Sequence, residues 1–252
     1  MASWDWQVYC RDTVTGEAVA GCMATGRDQT YLQWMLQAWG TTVTVSLSAL
    51  LVALIVGSVI GVMRTLPNSP RLVAFGNAWV ELFRNIPLLV QIFLWNYVVP
   101  DLIPGTHNPS PLVLVILGLG FFTSARIAEQ LRSGIQALPR GQRYAGMALG
   151  FTTPQYYRYV LLPMAYRIIM PPLTSESMNI FKNSAVAFAV SIPELAQFYL
   201  QGSEETGRLF EIYLGVLAAY FVTAMLVNRI MVFVERRLRV PGMVAAGGAG
   251  GH

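Results

Sequence analysis

The sequence predicts an all-α membrane protein of five transmembrane helices, with its amino end outside and its carboxyl end inside. Apolar stretches long enough to cross a bilayer recur along the chain, separated by polar segments. The composition is 54% hydrophobic and only 12% charged over 252 residues, which suits a membrane protein better than a soluble one. The cations are also unevenly placed. In the five-span arrangement only Arg11, Arg27 and Arg208 of the 17 lysines and arginines fall outside, and the positive-inside bias accounts for the net charge of +4 without a nucleic acid partner.

Residues 1–40 form an extracytoplasmic segment ending in an interfacial belt. Met1 to Thr30 lacks the basic start and apolar run of a cleaved signal peptide. It reads as a flexible tail, and its Cys10 and Cys22, the chain's two cysteines, are compatible with a disulfide or with two thiols. Tyr31, Trp34 and Trp39 suit the membrane–water interface. The membrane domain follows over 41–235, and 236–252 is a cytoplasmic tail.

Span one, 41–63, carries no charge and ends at Arg64; its Gly57 and Gly61 form a small-xxx-small packing face. Span two, 78–99, begins in the interface, where Glu81 and Arg84 are spaced to pair on one helical face. Arg126 and Glu129 make a second structural ion-pairing set at the end of span three, 112–129. His107, alone in an outer loop, gives no metal site.

The loop 130–163 is too long and too well punctuated for a plain connector. Leu138-Pro139-Arg140-Gly141 signals a turn, and Arg143 to Leu149 is a helical run closed by Gly150, which tolerates a left-handed conformation. A second helix starts with Thr153 as cap and Pro154 in its first turn, and Pro163 is expected to stop it.

Span four, 171–190, is polar. Glu176, Asn179, Lys182, Asn183 and Ser184 lie within it, and ionisable groups at this depth need a protein or water-lined interior. On an unbroken helix Glu176, Asn179 and Asn183 share a face, with Lys182 about 120° from Glu176. A break near Lys182 changes that arrangement, and interrupted helices of this kind point groups at a substrate near the midplane. Lining of a substrate path and simple neutralisation of Glu176 by Lys182 are both open. An acidic outer loop with Glu204, Glu205 and Glu211 leads to span five, 212–234, anchored inside by Glu235-Arg236-Arg237-Leu238-Arg239.

The loop resembles that of the permease subunits of ABC importers for polar amino acids. Their pattern, Glu-Ala-Ala, three residues, Gly, nine residues, Ile, any residue, Leu-Pro, is met by Tyr144-Ala145-Gly146, Gly150, Val160, Leu162 and Pro163, with Tyr144 in place of Glu and Gly146 in place of Ala. The resemblance covers most of the chain from about Val80 to Pro163, including the run Glu81 to Gln91, and returns at Lys182-Asn183-Ser184. The first of these runs, the Lys-Asn-Ser segment and the Glu-Arg-Arg-x-Arg-x-Pro-Gly ending look most like glutamate/aspartate permeases.

The resemblance implies a type I ABC importer transmembrane domain in the bacterial inner membrane. It implies pairing with a second permease as homo- or heterodimer, two cytoplasmic ABC ATPase subunits and an extracytoplasmic solute-binding protein. The coupling surface would comprise Tyr144, Ala145, Gly146, Met147, Gly150 and Phe151, with Arg140, Gly141, Arg143, Arg158 and Pro163 around it.

No cofactor is expected on this chain; ATP and Mg would sit on the partner ATPases. The sole lysine, Lys182, follows Phe181 rather than a glycine, so no phosphate-cradling loop is present, and there is no hydrolytic or metal-binding motif either. The chain is therefore expected to be a translocation subunit and not an enzyme. Two alternatives stand beside the glutamate/aspartate reading: a gradient-driven amino acid carrier, and a permease of the same family for glutamine, arginine or histidine.

Overall fold

The computed structural model describes residues 4–24, 29–102, 109–139, 141, 146 and 148–238. The described residues are helical apart from turns and two isolated antiparallel bridges, Arg11–Ala18 and Asp12–Thr30. The helices are α1 (Tyr31–Met63), α2 (Pro70–Asn85), α3 (Leu88–Phe93), α4 (Val99–Leu102), α5 (Pro111–Gln136), α6 (Thr153–Tyr156), α7 (Leu162–Asn183), α8 (Leu195–Thr206) and α9 (Leu209–Leu238). α1, α5 and α9 are each long and apolar enough to cross a membrane, and the broken run of α2 to α4 can supply a fourth span.

Several boundaries differ from the sequence reading. The helix that holds span one begins at Tyr31, ahead of the expected start of the span at Thr41, because the interfacial aromatics belong to the helix itself. The expected 78–99 helix is two: α2 ends where Ile86 turns extended (φ −91°, ψ 131°), as residues before a proline prefer, and α3 starts after Pro87. α2 and α3 are then separate elements, and the run continues as a π-turn, Leu94–Val98, into α4. The acidic segment before span five is a helix, α8, whose N-cap Glu194 accepts from Gln197 N.

The described part of the chain falls into two compact units. The first comprises Met1–Ala49, Leu88–Leu119 and Ile180–Met225. Its core gathers Val8, Tyr31, Ala38, Leu195, Phe198, Ile212, Val216 and Ala219, with Trp34 set edge-on to Phe198 at 5.1 Å. Glu194 is fully buried and held by Tyr220 Oη, which donates at 3.0 Å, and by Thr42 Oγ1 at 3.4 Å. Buried polar groups of this kind are tolerable because each is hydrogen-bonded.

The amino-terminal segment of this unit is folded and not a flexible tail. Cys10 and Cys22 are joined in a disulfide. The Asp12 carboxylate is buried and accepts from Val14 N and Thr15 N, both at 2.8 Å, and from Gln29 N at 3.2 Å. Those backbone donors hold its acid below the usual carboxylate range. The segment looked shapeless in sequence because its organisation rests on one carboxylate and one bridge rather than on apolar periodicity.

The second unit comprises Leu50–Pro87, Gly120–Asn179 and Leu226–His252. Here α5 packs its side chains directly against glycines of α1. A Cβ on Gly57 would lie 2.8 Å from Ile127 Cβ and 2.9 Å from Ser124 O, and one on Gly61 3.0 Å from Leu131 Cβ, so the predicted small-residue face is a packing face. Gly134 does the same for α5 against α7, where a Cβ would come 2.6 Å from Ile169. Leu131, Ile135, Leu138, Tyr156, Tyr157, Leu161, Ala165 and Ile169 form one hydrophobic core of this unit.

Candidate functional site

The second unit carries the two polar regions on which a functional reading turns. The first lies between α5 and α7. Glu176, with a side chain 12% exposed, faces Arg126 at 3.8 Å and accepts from Gln130 Nε2 at 3.4 Å. The Arg126 guanidinium also covers the Phe122 ring at 4.9 Å. A cavity of about 360 Å³ is lined nearby by Glu129, Gln130, Ser133, Ile168 and Pro172.

These contacts revise the predicted ion pairs. Arg126 pairs with Glu176 rather than Glu129. Glu129 pairs with Arg64 at 2.6 Å and Arg132 at 3.2 Å. Glu81 and Arg84 are exposed on α2, and no ion pair joins them: correct spacing on a solvent-facing helix does not overcome the entropy of holding two long side chains. Arg64 was read only as the end of a span. It is 7% exposed at its side chain and also donates to Asn77 Oδ1 at 2.8 Å, joining α1, α2 and α5. Arg64 also packs on Gly76, where a Cβ would meet its Cγ at 2.6 Å, a contact that no sequence signal announced.

The polar helix is interrupted near Lys182, as the sequence allowed. α7 stops at Asn183, a 3₁₀ stretch runs Ser184–Val190, and Ser191 takes φ 59° to end it. Lys182 is exposed, and no ion pair neutralises it among the described residues; the cation on Glu176 is Arg126. Asn179 and Asn183 are half-buried. Ser184 is buried and its hydroxyl donates to Phe181 O at 2.8 Å, so it caps its own helix. Thr174 and Ser177 likewise bond back to Met170 O and Leu173 O.

The second polar region is the segment around α6. Arg140, Arg143, Tyr144, Ala145 and Met147 lie outside the described residues. Gly150 has φ +79°, and Phe151 N donates to Gly146 O at 3.1 Å, the closing bond of a helix ended by a left-handed glycine. Gly146 is buried against Tyr156: a Cβ there would sit 2.8 Å from Tyr156 Cδ2, which explains a glycine where the resembling family has alanine. The cap of α6 is Thr152, one residue before the expected Thr153, and its amide donates to Gln155 Oε1 at 2.9 Å.

Pro163 does not stop the helix. A π-turn, Tyr157–Leu161, precedes it, Leu162 N bonds Tyr157 O, and α7 continues with Pro163 in its first turn, where a missing N–H costs little. Tyr157 anchors the turn by donating to Thr65 O at 2.6 Å. This leaves Gly141, Leu149, Phe151, Arg158 and Tyr159 exposed on the segment's surface. Leu149 and Tyr159, 76% and 63% exposed, lie within the expected coupling loop but were not singled out as its apolar contacts, since only the fold shows which apolar residues stay uncovered.

Residues 53–240 match the family of binding-protein-dependent transport system inner membrane components. The chain belongs to that family. In Escherichia coli O6:H1 (strain CFT073), the glutamate/aspartate import permease protein GltJ is 38% identical over 249 residues, covering 95% of this chain and 96% of the relative. The glutamate/aspartate import permease protein GltK of the same strain is 28% identical over 212 residues, covering 82% of this chain and 94% of the relative. Among solved structures, a crystal structure of an amino acid ABC transporter with histidines matches at 28% identity and TM-score 0.71, covering 82% of this chain and 95% of the other. The all-helical fold is therefore that of an ABC importer permease.

Proposed function

We propose that the chain is the permease subunit of an ATP-driven importer for acidic amino acids, glutamate and aspartate. The carrying observation is the 38% identity over 95% of the chain to a glutamate/aspartate import permease. The gradient-driven alternative loses its ground with family membership. Glutamine, arginine and histidine stay as alternative substrates within the same mechanism.

In this reading the chain has five spans in the bacterial inner membrane, with α7 and its 3₁₀ continuation as the fourth in chain order beside α1, the broken run of α2 to α4, α5 and α9. The amino end faces out and the carboxyl end in. Two different glutamate/aspartate import permeases in one strain, GltJ and GltK, favour pairing with a second, non-identical permease. Two ABC ATPase subunits supply ATP hydrolysis with Mg, and an extracytoplasmic binding protein delivers the amino acid; this chain holds neither cofactor nor ATPase site.

Two parts of the chain divide the work. The exposed apolar residues Leu149, Phe151 and Tyr159, rimmed by Arg158, dock on an ATPase, with Gly146 and Gly150 setting the backbone course. ATP-driven approach of the ATPases moves α6 and α7 as one rod, because the π-turn joins them without a break. Along α7, Glu176, Asn179, Lys182 and Asn183 line the path. The exposed cation of Lys182 attracts a substrate carboxylate.

The test is uptake of labelled glutamate, aspartate, glutamine, arginine and histidine into vesicles holding the assembled transporter, with and without internal ATP. ATP-dependent uptake of the acidic pair is expected. ATP-dependent uptake of another amino acid alone overturns the substrate, and uptake indifferent to ATP overturns the mechanism.

A further inference from the structure

The amino-terminal segment makes contacts that a passive tail does not need. It lies before the family-wide match at residues 53–240, within the first compact unit. Val8 is fully buried in the core with Leu195, Phe198 and Ile212. Asp5 engages two residues at the start of α9: its amide donates to Glu211 Oε1 at 2.9 Å, and its carboxylate receives Arg208 at 3.5 Å and Arg11 at 2.7 Å. Tyr9 reaches further along the same helix. Its hydroxyl donates to Glu211 O at 2.9 Å and lies over Gly215, where a Cβ would collide with the phenol oxygen. Glycine is unfavourable inside a helix, and at this position it is what makes room for the ring.

The far end of the segment is tied to a different helix. Cys22 O accepts from Thr30 Oγ1 at 2.9 Å, and Ala24 exchanges hydrogen bonds with the Gln33 side chain, at 3.2 Å to its Oε1 and 3.0 Å from its Nε2. The Cys10–Cys22 bridge therefore links the immediate neighbour of Tyr9 to the residues that fix the entry into α1. With the bridge open, Tyr9 keeps its own contacts, the partly exposed pairs of Asp5 and the buried Val8 beside it, but loses its covalent tie to the residues at the entry of α1.

We propose that Trp4–Ala24 is a clamp on the start of α9, with Tyr9 as its positioning residue and the Cys10–Cys22 disulfide as its redox-dependent lock. The clamp holds the first turns of α9 against the start of α1, so that this end of the last span moves as one body with the first during transport. The inference uses the reading above for one thing, the placement of this end on the oxidising side of the membrane. Reduction by a dithiol proceeds by thiolate attack on one sulfur, after which the reductant closes its own disulfide; two electrons and two protons end on the Cys10 and Cys22 thiols. The positioning of α9 relaxes as a result.

The experiment uses the assembled transporter in lipid vesicles, oxidised or treated with dithiothreitol, with free thiols counted by maleimide labelling. Two quantities are read: hydrogen exchange of the amides at 209–216, and ATP-driven glutamate uptake resolved into maximal rate and KM. Reduction is expected to raise exchange at 209–216 and to lower the maximal rate several-fold with little change in KM, both restored on reoxidation. A Cys10→Ser/Cys22→Ser double variant is expected to sit at the reduced level and ignore dithiothreitol. Tyr9→Phe should retain more activity than Tyr9→Ala, because the ring still fills the notch.

Unchanged exchange and rate in wild-type protein with both thiols shown free overturns the proposal. So does a double variant that still responds to dithiothreitol. Should that variant fail to assemble, the oxidised and reduced wild type decide alone. The exchange reading needs no substrate, so a failed clamp is distinguishable from a wrong substrate assignment.

Discussion

Arg64 and Glu129 meet at 2.6 Å, and through this contact the end of α1 is fastened to α5, with Asn77 of α2 accepting from the Arg64 Nε at 2.8 Å. The arginine is almost wholly buried, so its charge relies on these two partners. Removing Glu129 should therefore cost more than removing Arg132, which is partly exposed and shares the same carboxylate. We expect Glu129→Ala to destabilise the transporter by about 3 kcal/mol and Arg132→Ala by less than about 1 kcal/mol. Thermal unfolding of the purified complex in detergent measures both; equal losses would show that the burial of Arg64 does not govern the site.

Gly146→Ala would restore the residue the family commonly carries, yet here it brings a methyl to 2.8 Å from the Tyr156 ring. The substitution should displace α6 and weaken ATPase copurification, and Tyr156→Leu should partly rescue it by opening the space. Retained copurification in the single variant would place the ATPase contact elsewhere.

Gly150→Asp tests the same segment by a different cause. At φ +79° a side chain is strained, and a carboxylate at a helix C-terminus opposes the dipole. Substitution should lower ATP-driven uptake while leaving the amount of assembled permease unchanged, as read by uptake normalised to membrane protein level.

Glu176→Gln and Lys182→Ala separate the two ends of the polar helix. Loss of the Glu176 charge leaves Arg126 without its carboxylate, 3.8 Å away in the intact protein, and should reduce uptake and shift substrate preference further toward acidic amino acids. Lys182, exposed on the last turn of α7, is expected to affect KM for acidic substrates more than protein stability. Normal uptake kinetics in both variants would remove α7 from the substrate path.

The amino-terminal clamp should respond to both extremes of pH. Asp12 is held below its ordinary value by backbone donors, so its contribution is present above the unfolded value of about 3.9 and lost as pH falls through the lower folded value. Burial pushes the Tyr9 phenol up to about 12, so its contribution is complete below the unfolded value of about 10 and is lost as pH rises toward 12. Hydrogen exchange of the amides of Val14, Thr15 and Gln29 across the acid range checks the first. Asp12→Asn should abolish that acid dependence.

Much of the fold was legible because hydrocarbon imposes a one-dimensional rule. An uncharged stretch such as 41–63 must be helical wherever it crosses, and the glycine pair Gly57 and Gly61 must serve close packing, which the approach to Ile127 and Leu131 bears out. The loop glycines were legible for a similar reason: Gly150 stood where only a left-handed backbone could end a helix, and it has φ +79°. The family itself was readable from short runs whose residue types and spacing rarely coincide by chance.

Partner choice was not legible, since it depends on which helical faces meet. Glu81 and Arg84 had the right spacing and lie apart on an exposed surface, whereas Arg126 found Glu176 some fifty positions further along the chain. The helix through Pro163 depended on a π-turn that supplies the register a proline needs, and Tyr157 fixes that turn through Thr65, far away in sequence. The sequence by itself determined the helical class, the polar fourth segment and the family. Tertiary structure alone decided most of the ion-pair network, the ordered amino-terminal segment and which apolar residues around α6 stay exposed, because burial and long-range charge pairing depend on which distant segments pack together.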